Sequence, residues 1–309
     1  GSNVTVVLPD SGKWLPQYRM ASYKDFTFNG SETFTLHGSS GSEVIFGGYQ
    51  ADTIKAGDGN DFIFGGDGAD NIDAGAGNDV VYTSLAGLTE DTAITGGTGS
   101  NTLAFNKPGE SGGWDNESYN AVTFDLTTDL GNATDFHNIV GSTSGDTLTG
   151  DNSANVIIGG SGADTLTGGA GDDSIYGDYH TSDTSGTTYG HRQYGVSEGN
   201  DTLYGGAGDD ILVGNNGDDT LDGGAGADTI TTGSGNDTII LAANAGGSTL
   251  ADADTITDFT DGSDTFGLDS NLNFSELSIT QGTGDYLNHS IVRIGSSGEY
   301  LAIVQNTTY

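Results

Sequence analysis

A nine-residue period runs through much of this 309-residue chain and narrows its possible folds more than any other feature. From Gly38 the sequence reads GSSGSEVIF, GGYQADTIK, AGDGNDFIF, GGDGADNID and AGAGNDVVY, ending at Tyr82. A second run opens at Gly141 with GSTSGDTLT and closes at Ile240 with TGSGNDTII. It holds nine units, one of which, Gly177–Tyr204, is interrupted by an insertion at 178–198.

Each unit has two parts. Positions one to six follow Gly, Gly, any, Gly, small or polar, Asp; positions seven to nine form a triplet with an aliphatic centre. Glycines this dense cannot sustain a helix, but they permit positive φ and tight curvature. The triplet is a very short strand whose centre points one way and whose flanks point the other. Its centres are Ile45, Ile54, Ile63, Ile72 and Val81, then Leu148, Ile157, Leu166, Ile175, Leu203, Leu212, Leu221, Ile230 and Ile239. A three-residue strand buries nothing alone, so neighbours must stack. Turn, strand, turn, strand then gives one coil per eighteen residues, with a thin aliphatic core between two parallel sheets.

The sixth position carries the chemistry. It holds Asp52, Asp61, Asp70 and Asp79 in the first run, and Asp146, Asp164, Asp173, Asp201, Asp210, Asp219, Asp228 and Asp237 in the second. Glu43 and Asn155 replace Asp there, and both still offer oxygen. Successive turns fall on opposite edges, so residues eighteen apart stack, as Asp61 does on Asp79. Carboxylates stacked at the ~4.8 Å strand spacing repel strongly unless a cation intervenes. An all-oxygen cage, completed by glycine carbonyls and free of His and Cys, suits calcium better than zinc, copper or magnesium.

These nonapeptides, G-G-x-G-x-D-x-U-x with U a large aliphatic residue, resemble those of the RTX (haemolysin-type calcium-binding) family. The resemblance implies an all-β fold: a right-handed parallel β-roll with calcium in its glycine-rich turns. It also implies type I secretion, with the chain unfolded in a calcium-poor cytosol and folded outside, hence a secreted or cell-surface location.

Pairs eighteen apart, with the insertion looped out, predict roughly ten calcium ions, which would bring the formal charge of −37 to about −17. Glu43 and Asn155 are expected to mark weaker sites. Between Gly141 and Ile240 the only fixed positive charge is Arg192, so salt bridges cannot relieve the repulsion. Self-repulsion and high glycine content therefore predict disorder without metal, with binding and folding as one process.

Residues 1–37 are read as an N-terminal β cap or linker, in which Trp14, Tyr18 and Phe26 cover the roll end. The first block spans 38–82. Residues 83–140 bridge the blocks with further rungs of one continuous solenoid, a degenerate unit whose slot holds Asn101, and a loop around Pro108–Asn120. The second block spans 141–240, and 241–309 forms a C-terminal cap. In that cap DADTITDFTDGSDTFGL resembles the segment that closes RTX rolls, and Asp254 and Asp258 are expected to complete the last calcium site. Leu287–Ile294 and Tyr300–Val304 are expected to pair as a hairpin.

No apolar run reaches the ~18–20 residues of a spanning helix. A chain with 44 acidic and 7 basic residues repels nucleic-acid phosphates. Without Cys there is no disulfide or thiol chemistry, and neither H-E-x-x-H nor G-x-S-x-G occurs. His37, His137, His180, His191 and His289 are scattered singly. The sequence therefore reads as a non-enzymatic, calcium-folded structural or display module of a larger adhesin, surface-layer protein or secreted hydrolase. The alternative is a module that binds a glycan or cell-surface ligand through the insertion or the caps. A minor alternative is an ice-binding solenoid using the Thr-x-Thr rungs at 147–149 and 165–167.

Overall fold

A computed structural model describes residues 3–7, 33–105, 120–178, 199–243, 245–295 and 297–305. The proposed N-terminal cap aromatics, the Pro108 loop, most of the insertion and the last four residues lie outside these. The described chain forms two compact units. The first takes 3–7, 33–105 and 125–140; the second takes 120–124, 141–178 and the residues from 199 onward.

In the first unit the triplets alternate between two parallel sheets. One runs Asn3–Val7, Thr33–His37, Thr53–Asp58, Asn71–Ala76, Ala93–Thr95 and Ala133–Thr134. The other runs Val44–Gly48, Phe62–Gly66, Val80–Tyr82, Thr102–Ala104 and Asn138–Val140. In the second unit one sheet runs Thr147–Thr149, Thr165–Ala170, Thr202–Ala207, Thr220–Ala225, Thr238–Leu241 and Thr265–Leu268. Its counterpart begins Val156–Gly160, Ser174–Asp178, Ile211–Asn216 and Thr229–Ser234, then continues through Asp254–Ile256 and Tyr300–Val304. Each unit is thus a parallel β-roll. The insertion leaves the register intact: Thr165, Leu166 and Thr167 pair with Thr202, Leu203 and Tyr204.

The aliphatic centres build the core. From Ile54 to Ile239 every one is at most 1 % exposed, and Ile45 is 3 % exposed. Ile94, Leu103, Ile139 and Phe124 continue the file through irregular rungs. Inward positions recur every second residue, so the sixth, eighth and next first positions face the same interior. Asp61, Ile63 and Gly65 show why: an acid at position six is carried into the core by the same alternation that buries the isoleucine. On the outer face, the ninth-position rings of Phe46, Phe64 and Tyr82 stack at 4.6 and 4.2 Å between centroids.

The bridging rungs are short. Thr123–Asp125 and Asn138–Val140 span three residues each, with a short helix at Gly87–Glu90 upstream. At the other end Ser290–Ile294 pairs antiparallel with Tyr300–Val304, and Leu277–Gln281 adds a third strand. This meander covers the edge of Asp254–Ile256, which would otherwise be open to pairing.

Leu221 has no exposed surface, whereas Leu85 is 43 % exposed. Leu221→Ala is expected to cost about 2–5 kcal/mol through lost burial and a residual cavity, whereas Leu85→Ala should cost less than about 0.5 kcal/mol. Urea unfolding in saturating calcium measures both.

Candidate metal centre

The sixth-position residues form rows along the edges of the rolls, each joined to the next by one hydrogen bond. The backbone N–H of an acid donates to Oδ1 of the acid one coil later. Glu43 donates to Asp61 at 2.7 Å, Asp61 to Asp79 at 2.8 Å and Asp79 to Asn101 at 3.0 Å. On the other edge Phe34 donates to Asp52, Asp52 to Asp70 and Asp70 to Asp91. In the second unit one row runs Asp146, Asp164, Asp201, Asp219, Asp237, Asp264. The other runs Asn155, Asp173, Asp210, Asp228, Asp254. The 37-residue step from Asp164 to Asp201 has the 2.8 Å geometry of an 18-residue step.

The second oxygen divides the turns into two kinds. In closed turns the N–H of the second residue caps the acid: Gly48 donates to Asp52 Oδ2 at 2.6 Å, and Ser39 to Glu43 at 2.9 Å. Ser142 to Asp146, Asp151 to Asn155 and Thr260 to Asp264 repeat the arrangement. In open turns no donor reaches Oδ2. Among the described residues, the Oδ2 atoms of Asp61, Asp70, Asp79, Asp164, Asp173, Asp201, Asp210, Asp219, Asp228 and Asp237 are buried without a hydrogen-bond partner.

Backbone conformation tracks this division. The second residue of nine open turns has positive φ: Gly57, Gly66, Gly75, Gly160, Gly169, Gly206, Asn215, Gly224 and Gly233. None of the five closed turns has it there. Asn tolerates the left-handed region better than other side chains, which explains how Asn215 substitutes for glycine. Glycine at the first position answers to a different constraint, although Ala56, Ala74 and Thr232 also occupy it. A Cβ on Gly205 would lie 2.4 Å from Asp210 Oδ2 and 2.3 Å from the Gly223 carbonyl oxygen.

A buried carboxylate oxygen with no donor is costly, and the acidities record it. Burial, opposed by the one N–H and reinforced by neighbouring acids, pushes Asp61, Asp70, Asp173, Asp201 and Asp219 up to about 7. Asp164 rises to about 8 for the same reasons. Asp228 and Asp254 face each other, and burial raises both.

The donor set fits a hard cation. Each open turn offers an anionic oxygen and glycine-turn carbonyls, with no nitrogen or sulfur, as calcium prefers. Among the described residues no three His, Cys, Asp or Glu side chains converge, so main-chain oxygens must make up the shell.

Comparison with known families agrees with this geometry. The profile of the RTX calcium-binding nonapeptide repeat (4 copies) matches residues 37–72, 46–81, 149–178, 196–221 and 213–244. The chain carries RTX calcium-binding repeats. No curated protein matches it. The RTX blocks of both units are therefore calcium-binding β-roll, and the sequence reading of the repeats and of the fold holds. No helix among the described residues is long and apolar enough to cross a membrane.

Three points differ from the reading of the sequence. Asp254 and Asp258 do not meet at one site: Asp254 joins the row of Asp228, whereas Asp258 accepts the N–H groups of Thr232 and Gly233 in the turn before Asp237. Asp52 and Asp146 belong with Glu43 and Asn155 in closed turns. Asp91 and Asp264 occupy slots that the period misses, because three extra residues around a helix and nine extra residues after Asp237 shift their spacing from 18 to 21 and 27. Phe259–Gly267, FTDGSDTFG, is nonetheless a unit with Phe where glycine usually begins it.

The open-turn acids hold their protons more tightly in the fold than an unfolded aspartate does, whose pKa is ~3.9. Without metal their contribution is therefore greatest below about pH 4 and is lost as pH rises through about 7–8. In chelator the chain should gain β structure as pH falls from 8 to 4.5, measured by circular dichroism. With calcium, proton competition should move the folding midpoint to higher calcium over the same fall.

Proposed function

We propose that this chain is a structural module that folds on binding calcium outside the cell after type I secretion, and that stiffens or displays a larger secreted or surface protein. The buried, partnerless Oδ2 atoms carry this reading. Each of the ten belongs to the second acid of an eighteen-residue pair, counting across the insertion, which supports roughly ten ions, one per open turn. The sixth-position acids of the open turns are their carboxylate ligands, and the glycine-turn carbonyls supply the remaining oxygens. When bound, calcium supplies the positive charge that lets adjacent coils approach. Ionised acids of this kind are poor proton donors, which supports a structural rather than an enzymatic role.

The charge balance supports the secretion reading, which the family resemblance suggests. A chain at −37 with few cations of its own stays expanded in low calcium and condenses in high calcium. Circular dichroism of the chelated chain at pH 7.5 should show little β signal, and a calcium titration should restore it cooperatively. A full β signal in chelator at that pH would overturn the proposal. Native mass spectrometry should count about ten ions. Asp210→Asn, in an open turn, should remove about one, while Asp52→Asn, in a closed turn, should leave the count unchanged.

A further inference from the structure

The C-terminal meander covers the edge of Asp254–Ile256 but ends on an edge of its own. Leu277–Gln281 pairs with Ser290–Ile294 on one side and with no described strand on the other. The ladder fixes which backbone groups face outward. The Gly295 N–H donates to the Glu276 carbonyl at 2.8 Å, and the Gly282 N–H to the His289 carbonyl at 2.9 Å. Hydrogen-bonded pairs recur at every second residue of an antiparallel ladder. Ser278 and Thr280 therefore bond inward, while Leu277, Ile279 and Gln281 turn their backbone groups out. The Leu277 N–H is taken up by the Phe274 carbonyl. At the centre of the strand, the N–H and carbonyl of Ile279 have no partner among the described residues.

Edge strands are ordinarily protected by charge, proline or a bulge. Thr265–Leu268, which ends the other sheet of this unit, is bracketed by Asp264 and Asp269. Leu277–Gln281 has no charge and no proline, and its pairing is regular over five residues. Residues 277–305 hold one base, Arg293, and two acids, Asp285 and Glu299, a formal −1 in a chain at −37. Leu277 and Ile279 share a face with the buried Ile294 and Val292 opposite them, yet are only half-buried. The apolar layer thus runs out to the open edge.

The ends of this strand carry the two most exposed large apolar side chains among the described residues. Phe274, 73 % exposed, precedes it, and Leu287, 62 % exposed, follows it. The Gln281 side chain holds that second end by donating to the Leu287 carbonyl at 2.8 Å. An antiparallel copy of the strand centred on Ile279 sets Leu277 opposite Gln281 of its mate. The same register carries the Phe274 end of one chain to the Gly284–Leu287 turn of the other. A second copy therefore supplies an apolar anchor at both ends at once, as a two-fold contact requires.

We propose that Leu277–Gln281 is a self-association edge, on which two copies of the chain join by antiparallel pairing about Ile279, with Phe274 of each against Leu287 of the other. Two backbone hydrogen bonds between the paired Ile279 residues join the two sheets into one. Glu276 and Asp285 flank the strand, so like charge opposes the contact and keeps it weak. One strand and two anchors per copy fall below the area of stable interfaces, so a dissociation constant on the order of 10–100 µM is expected. The pairing needs the folded cap and no particular number of ions.

Sedimentation equilibrium of the full chain in saturating calcium tests this. The mass should rise from monomer to dimer, and no further, as concentration passes through that range. Ile279→Pro removes the outward N–H without touching an inward ladder bond and should abolish the dimer. Phe274→Ser, at an exposed position that leaves the fold intact, should weaken it about tenfold, so a folding failure of Ile279→Pro cannot obscure the result. The chain has no cysteine, so Phe274→Cys and Leu287→Cys can be mixed and treated with a short bismaleimide. The mixture should cross-link into dimers, and neither variant alone should. A monomer throughout, growth past the dimer, or association indifferent to Phe274→Ser would overturn the proposal. So would a mixture that does not cross-link, or cross-linking of Phe274→Cys with itself.

Discussion

The structure depends on a carboxylate placed where a hydrophobic side chain would ordinarily go. In these coils the pleat that buries Ile63 also buries Asp61, and the backbone supplies only one N–H to satisfy it. The remaining oxygen is a debt that protein groups cannot settle, because seven basic residues face forty-four acidic ones. A divalent ion resolves it without adding a side chain, which is why so little sequence is spent on each site. The thin aliphatic file supplies cohesion along the roll, but it cannot by itself outweigh a column of desolvated negative charge.

Two kinds of turn follow from one local choice. With the second residue in an ordinary conformation, its N–H closes onto the acid, as at Gly48 and Ser142. With positive φ, as at Gly57 or Gly224, the acid keeps an oxygen for something else. Closed turns stand at the first coil of each block, where no earlier metal-binding turn exists to share an ion, and again at Asp264 near the last. The blocks therefore begin on turns satisfied by protein groups alone and continue on turns that are not.

Much of this was legible in the sequence because a strict period fixes both register and burial. The aliphatic centres, the slot acids from Glu43 to Asp237 and the looping-out of the insertion all follow from counting in nines. What counting could not supply lies where the spacing breaks or where conformation rather than identity decides. Asp91 follows a helical detour, and Asp264 sits in a unit that starts with Phe259 rather than glycine. Asp258 sits in a motif that looks like part of a site, yet its oxygens are taken by Thr232 and Gly233. Gly48 and Gly57 are the same residue at the same position, and only φ separates a closed turn from an open one.

The alternation of units between two sheets imposes a parity on the fold. Gaining or losing a whole coil leaves every downstream strand on its own sheet. Gaining a single nonapeptide would send each later strand to the opposite sheet and present Asp254–Ile256 to the wrong neighbour, leaving Tyr300–Val304 beside a different edge. Growth of such a roll by duplication is thus quantised in steps of eighteen, while extra sequence can be admitted between coils without loss of register, as between Asp178 and Gly199.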